Sequence, residues 1–261
     1  MMPTTNLQTE FYLNPVLEKN DTFKFETLTV DFSNKNRVTE KLCTRNVQIM
    51  YLGKIKHLFY FDVFTSKVTF TSNQSIANER LLKEDMYAFG DILLGVNDKG
   101  EIMKVHNLKE MQKRWEETKS ELRKDHVGFE FEDFLSDITE VLEDEEKTVY
   151  FLNTNAMFRL YFHGLFGKND VQKTPIKRKS ILLDFDDTEI TEEIRMDSRE
   201  LKIIISAQKS DDEHKSIISD NDKIKKYEGE LAYRKDNQLQ EGFIEIENEN
   251  MNIKYSVLWV S

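Results

Sequence analysis

Hydrophobic and polar residues alternate with period two towards both ends of this chain and recur at intervals of three and four in its middle. That pattern predicts strands, then helices, then strands again. From Thr22 to Thr71 three stretches, TFKFETLTVDF, VTEKLCTRNVQIMYL and KIKHLFYFDVFTSKVTF, are rich in β-branched and aromatic residues. They read as an antiparallel meander, with Gly53 as the turn between its second and third strands. Ser75–Tyr87 is either a short helix or an ordered connection. FGDILLGV and EIMKV then flank Asn97-Asp98-Lys99-Gly100, whose glycine supplies the positive φ that a tight hairpin requires.

The period changes at Asn107, which stands three residues before Glu110 as in a capping box. Leu108, Met111, Trp115 and Leu122 mark the buried face of a first helix that ends by Gly128. Phe131, Phe134, Leu135, Ile138, Val141 and Leu142 mark a second. Val149–Phe166 is apolar nearly all round and stops at Gly167, which predicts a third helix buried between other elements. Val171–Lys179 is basic, holds Pro175 and reads as a surface connection. Beyond it Ile181–Ile190, Leu201–Gln208, Lys223–Tyr233, Leu239–Glu247 and Met251–Val260 return to period two.

The expected fold is therefore α+β: one domain over 1–261, with a large antiparallel, curved, half-barrel-like sheet built from N- and C-terminal strands (22–71 and 86–105; 181–260). A three-helix insertion (107–167) packs on one face. There is no βαβ rhythm and no internal repeat.

Composition narrows the chemistry. The chain has 9 Gly, no GxGxxG, no GxxxxGK[ST] and no GxSxG, so phosphate cradles and nucleophile elbows lack material. A formal charge of -11 disfavours nucleic acid and attracts basic partners. Cys43 is the only cysteine, and His57, His106, His126, His163 and His214 show no metal-ligand spacing, so no metal or other cofactor is expected. Cys43 reads as a small buried hydrophobe and His163 as a core or helix-end histidine. The first ten residues carry no secretory pattern and no apolar run reaches membrane-spanning length, which points to the cytoplasm, or to the periplasm if a leader has been removed.

Three groups of residues could carry function. Ile181-Leu182-Leu183-Asp184-Phe185-Asp186-Asp187-Thr188 resembles the first motif of haloacid-dehalogenase phosphatases. That likeness implies a nucleophilic Asp184 and an acid Asp186 holding Mg²⁺, with Ser206 and Asp211-Asp212 in later motifs. The hairpins expected around it oppose this reading, since such chemistry needs parallel strands joined by crossover helices. The second helix carries nine carboxylates between Glu130 and Glu146 and no basic residue. Among them Glu132, Asp133, Asp137, Glu140, Glu143 and Asp144 form a candidate docking face for a basic protein partner, the alternative being a solvated outer face. The aromatic run Tyr150, Phe151, Phe158, Tyr161, Phe162 and Phe166 is either ordinary core or the wall of an apolar cavity. The candidate lining for a ligand is Phe131, Phe134, Leu135, Phe158, Phe162 and Trp259.

The opening LNPVLEKNDTFKFET, the segment LLGVNDKGEIMKVHNL and the closing YEGELAYRKDNQLQEGFIEIE resemble a group of bacterial half-barrel proteins, the lipoprotein carriers and LolA-like domains. The resemblance implies a concave face that binds acyl chains or a partner protein, without catalysis. Two readings of function follow: a non-enzymatic protein that binds another protein, in the manner of an immunity or secretion-accessory protein, or a carrier of a lipid or other apolar ligand between sheet and helices.

Overall fold

The computed structural model describes residues 10–34, 36–74, 88–162, 167–170, 173–197, 201–209 and 224–261. Ser75–Tyr87, His163, Phe166, Asp211-Asp212 and His214 lie outside them. One antiparallel sheet of eleven strands dominates: β2 (Asn20–Asp31), β3 (Thr39–Ile55), β4 (Leu58–Ser72), β5 (Asp91–Val96), β6 (Ile102–Val105), β8 (Ile176–Leu182), β9 (Thr188–Asp197), β10 (Lys202–Lys209), β11 (Lys226–Tyr233), β12 (Leu239–Glu247) and β13 (Met251–Trp259). Their order across the sheet is β6-β5-β4-β3-β2-β13-β12-β11-β10-β9-β8. The expected α+β class and the joining of both chain halves in one sheet are found: β2 and β13 pair from Asp31↔Met251 to Phe23↔Trp259. A second sheet, which the period-two pattern did not reveal, pairs β1 (Glu10–Leu13) with β7 (Gly167–Asp170).

The helical segment forms four helices rather than three: α1 (Leu108–Asp125), α2 (Phe129–Val141), α3 (Glu145–Thr154) and α4 (Ala156–Phe162). The apolar stretch from Val149 is broken at Asn155, whose backbone is extended. Its side chain accepts a hydrogen bond from the Met157 N–H at 3.0 Å, so one residue ends α3 and caps α4. The capping box at Asn107 is also overturned. Its amide bonds the Leu93 N–H and the Asp91 carbonyl instead, tying the start of α1 to β5. α1 rests on β5, α3 on β6, and α4 on β12 and β13.

Three turn assignments differ from expectation. Gly53 lies inside β3 at a register shift (φ 115°), and the hairpin turns at Lys56, which takes φ 57°. The basic stretch read as a connection contains the start of β8. Ile181–Ile190 is two strands, not one: a 3-10 turn at Leu183–Phe185 and left-handed Asp186 and Asp187 fold it into the β8–β9 hairpin. The Asn97–Gly100 hairpin is found as expected, with Gly100 at φ 74°.

The sheet's apolar face is covered by the helices. Phe23 and Phe25 of β2, Val47 and Ile49 of β3, Phe61 and Val63 of β4, and Ile253, Tyr255 and Val257 of β13 are buried, each set two residues apart. On β11 this face is completed by Gly229 between Tyr227 and Leu231. A Cβ there would lie 2.7 Å from the Phe243 carbonyl and 2.9 Å from Ile244 Cγ1. Because backbone cannot yield as a side-chain tip can, Gly229→Ala is expected to cost about 1–3 kcal/mol. At about 2–4 °C per kcal/mol, thermal denaturation would register the loss; an unchanged midpoint would show that the β11–β12 pair tolerates the methyl group.

Candidate functional site

Helices α3 and α4 lie along a seam. Asn153 of α3 donates from its amide nitrogen to the Ile102 carbonyl (2.8 Å) and accepts from the Ile102 N–H (2.9 Å), while Glu145 accepts from the Val105 N–H (3.1 Å). These side chains take the place of a neighbouring strand along β6, one of the two sheet edges. The other edge, β8, reaches the same place. A cleft of about 460 Å³ is lined by Gly100–Met103 from β6 and its hairpin, by Arg178, Lys179 and Ser180 of β8, and by Val149, Asn153, Phe158 and Arg159. The eleven strands therefore curve until their two open edges flank the same helices.

Beneath the seam sits a buried charge cluster. Glu192 on β9 is wholly buried and accepts from Arg159 of α4 at 2.5 Å, from Arg178 Nε of β8 at 2.8 Å and from the Tyr227 hydroxyl. Sequence offered a signal for it: Glu192 stands in phase with Ile190, Ile194 and Met196, all inward-facing. Nearby, the Tyr255 hydroxyl donates to Asp184 at 2.6 Å. Burial, reinforced by Glu192 and by Asp184 respectively, pushes the Tyr227 and Tyr255 phenols well above the ordinary value, and burial also raises Tyr161 and Tyr233.

The largest of three clefts along the described helices, about 690 Å³, opens beside this seam between α2, α3 and the 3-10 turn. Val141, Tyr150, Phe151 and Leu183 form its apolar wall, and Asp137, Glu140, Asp144, Glu146 and Lys147 its polar rim. Tyr150 and Leu183 remain 54% and 44% exposed. A third cleft of about 280 Å³ runs under the junction of α3 and α4 onto the sheet. It shares Phe151, Thr154 and Leu183 with the largest cleft and Arg159 with the seam.

The predicted acidic residues are only partly available. Glu132 pairs with Arg123 of α1 at 2.9 Å, and this hydrogen bond holds its carboxyl below the usual range. Lys147 pairs with Glu143 at 2.8 Å and Glu140 at 3.2 Å, and Asp144 caps α3 by accepting from the Lys147 N–H at 2.8 Å. Asp133 and Asp137 are exposed and form no ion pair among the described residues. The predicted ligand lining divides. Phe131, Leu135 and the half-buried Phe134 pack within the helical layer, Phe134 edge-on to Trp115. Phe158 and Phe162 stack at 6.0 Å on the sheet side, and of the six Phe158 alone lines one of these three clefts. Trp259 lies elsewhere, bonding Asp21 through its indole N–H at 2.8 Å with Arg234 over its ring at 4.1 Å. Cys43 is buried, as expected. Asp184 and Asp186 occupy the turn of an antiparallel hairpin, so the likeness to the phosphatase motif does not extend to the parallel strand tip that motif requires.

No protein-family model matches the chain, and no curated protein matches it. Among solved structures it is similar to lipovitellin, from work on lipid-protein interactions in that protein. The identity is 8% and the TM-score 0.45, over 94% of this chain and 25% of the other. This chain thus spans about a quarter of that protein's length. No helix among the described residues is long and apolar enough to cross a membrane.

Two measurements test the cluster. Glu192→Ala would leave Arg159 and Arg178 without their shared carboxylate, an expected loss of about 3–5 kcal/mol in denaturant unfolding; an unchanged midpoint would show the cluster to be dispensable. The raised tyrosines hold their protons beyond pH 10.0, the ordinary value, where the unfolded chain loses them. Their contribution is therefore complete below that pH and declines as pH rises above it. Phenolate absorbance from these four should appear together with loss of near-ultraviolet dichroism, and ionisation ahead of unfolding would contradict their burial.

Proposed function

We propose that this is a non-catalytic binding protein that takes an apolar ligand, or the apolar part of an amphiphile, in the cleft between α2, α3 and the 3-10 turn. The carrying observation is the wall of Val141, Tyr150, Phe151 and Leu183, where a large aromatic ring and a leucine stay half in solvent beside a cleft of about 690 Å³. Ligand sites commonly span about 300–1,000 Å³ and pair apolar walls with a few polar groups. The resemblance of the sequence to lipoprotein carriers and LolA-like domains is in keeping with this reading. Phe158 and Phe162 stack on the sheet side and leave only the smaller third cleft between sheet and helices, so we assign the apolar part of the ligand to the flank of the helices.

A second reading, docking of a basic protein, is favoured by Asp133 and Asp137, whose carboxylates have no internal partner among the described residues and of which Asp137 lies on the cleft rim. Such an encounter weakens with salt, whereas apolar binding does not.

Nile red titration separates the two. The wild-type protein should bind the dye saturably and with little salt dependence. Leu183→Asp and Tyr150→Ala should weaken binding about tenfold, the equivalent of one lost apolar contact of 1.4 kcal/mol. Absence of saturable binding, or indifference to both substitutions, would remove the ligand reading. A basic peptide whose binding is lost in Asp133→Lys/Asp137→Lys and at high salt would then favour the docking reading.

A further inference from the structure

The third cleft contains a cation, Arg45, that no carboxylate neutralises among the described residues. Arg45 on β3 stands in phase with the buried Cys43, Val47 and Ile49, so its side chain projects from the helix-covered face of the sheet. Its Nε is buried without a hydrogen-bond partner, and among the described residues no carboxylate pairs with its guanidinium. The residue as a whole is only partly buried, so the rest of its guanidinium stays open to the cleft, within reach of an oxyanion entering there. Arg159, on the opposite wall, is engaged with Glu192 and Tyr227. Asp184, the carboxylate of this cleft, is exposed and is held by the Tyr255 hydroxyl at 2.6 Å. Thr27, which pairs with Cys43 on the adjacent strand and so stands diagonally from Arg45, adds a hydroxyl to the lining.

This cleft also leads somewhere. Phe151, Thr154 and Leu183 line both it and the largest cleft, so the cationic end and the apolar wall of Val141, Tyr150 and Leu183 adjoin along α3 as a candidate path. We infer that the path binds an anionic amphiphile: the oxyanion head, a carboxylate or a phosphate monoester, pairs with Arg45 in the smaller cleft, and the hydrocarbon chain lies in the larger one. The assignment rests on the reading of the larger cleft as an apolar site and adds the charge of its ligand. Guanidinium matches either oxyanion through paired N–H donors, which a neutral head cannot use as well.

Competition against Nile red with dodecanol, dodecanoate and dodecyl phosphate, each below its aggregation threshold, tests it. In wild-type protein at least one of the two anions should displace the dye at about tenfold lower concentration than the alcohol, the scale of one charge-assisted hydrogen bond. Dodecanoate ahead of dodecyl phosphate assigns a carboxylate head, and the reverse order a phosphate. Arg45→Met should abolish the preference while dodecanol still displaces the dye saturably, with a far-ultraviolet dichroism spectrum matching the wild type to certify that the variant folds. Arg45→Lys should keep most of it. Equal displacement by acid and alcohol in the wild type, or a preference that survives Arg45→Met, overturns the inference while dodecanol binding preserves the apolar site. Failure of all three compounds to bind overturns both.

Discussion

An open antiparallel sheet of eleven strands has one apolar face to cover and two unpaired edges to protect, and every other element of this protein answers to that constraint. Helices α3 and α4 meet both demands at once. Their apolar side chains fill the concave face, while the side chains of Asn153 and Glu145 serve the backbone of β6 as a strand would. The lysines and arginine of β8 make the other edge a poor template for strand addition.

The charge cluster follows from the same geometry. α4 has seven residues and carries a single charge, Arg159, which must enter the layer between helix and sheet if the aromatic rings around it are to pack. Glu192 meets it there from the sheet, and Arg178 meets Glu192 from the edge strand. One carboxylate thereby joins α4, β8 and β9. Such a cluster contributes less to net stability than an apolar replacement could, but it penalises any arrangement in which one member loses the others. It holds α4 in register with the edge strand β8.

The adjoining clefts flank the point where the helical layer is interrupted. Asn155 breaks the apolar stretch in two, and the gap between the halves and the β8–β9 hairpin is closed by neither. Tyr150 and Leu183 are left half exposed on one side of that gap, and on the other Arg45 has no carboxylate partner among the described residues. The candidate site is thus assembled by packing rather than carried by a local motif. The acidic face of α2 illustrates the converse: it is conspicuous along the chain, yet Arg123 and Lys147 neutralise part of it from neighbouring helices.

Local pattern alone determined the sheet-helix-sheet order, the Asn97–Gly100 hairpin and the buried faces of α1 and α2, because period, turn chemistry and side-chain size are properties of short segments. It also carried two signals that only position could interpret, an inward-phased Glu192 and an inward-phased Arg45. The tertiary structure decided the rest. Gly53 became a bulge and not a turn, the aspartates after Leu183 became a hairpin and not a strand tip, and the two edges met at one seam. Each depends on which distant backbone supplies the hydrogen-bond partner, and a strand's partner is chosen by the whole sheet and not by its own sequence.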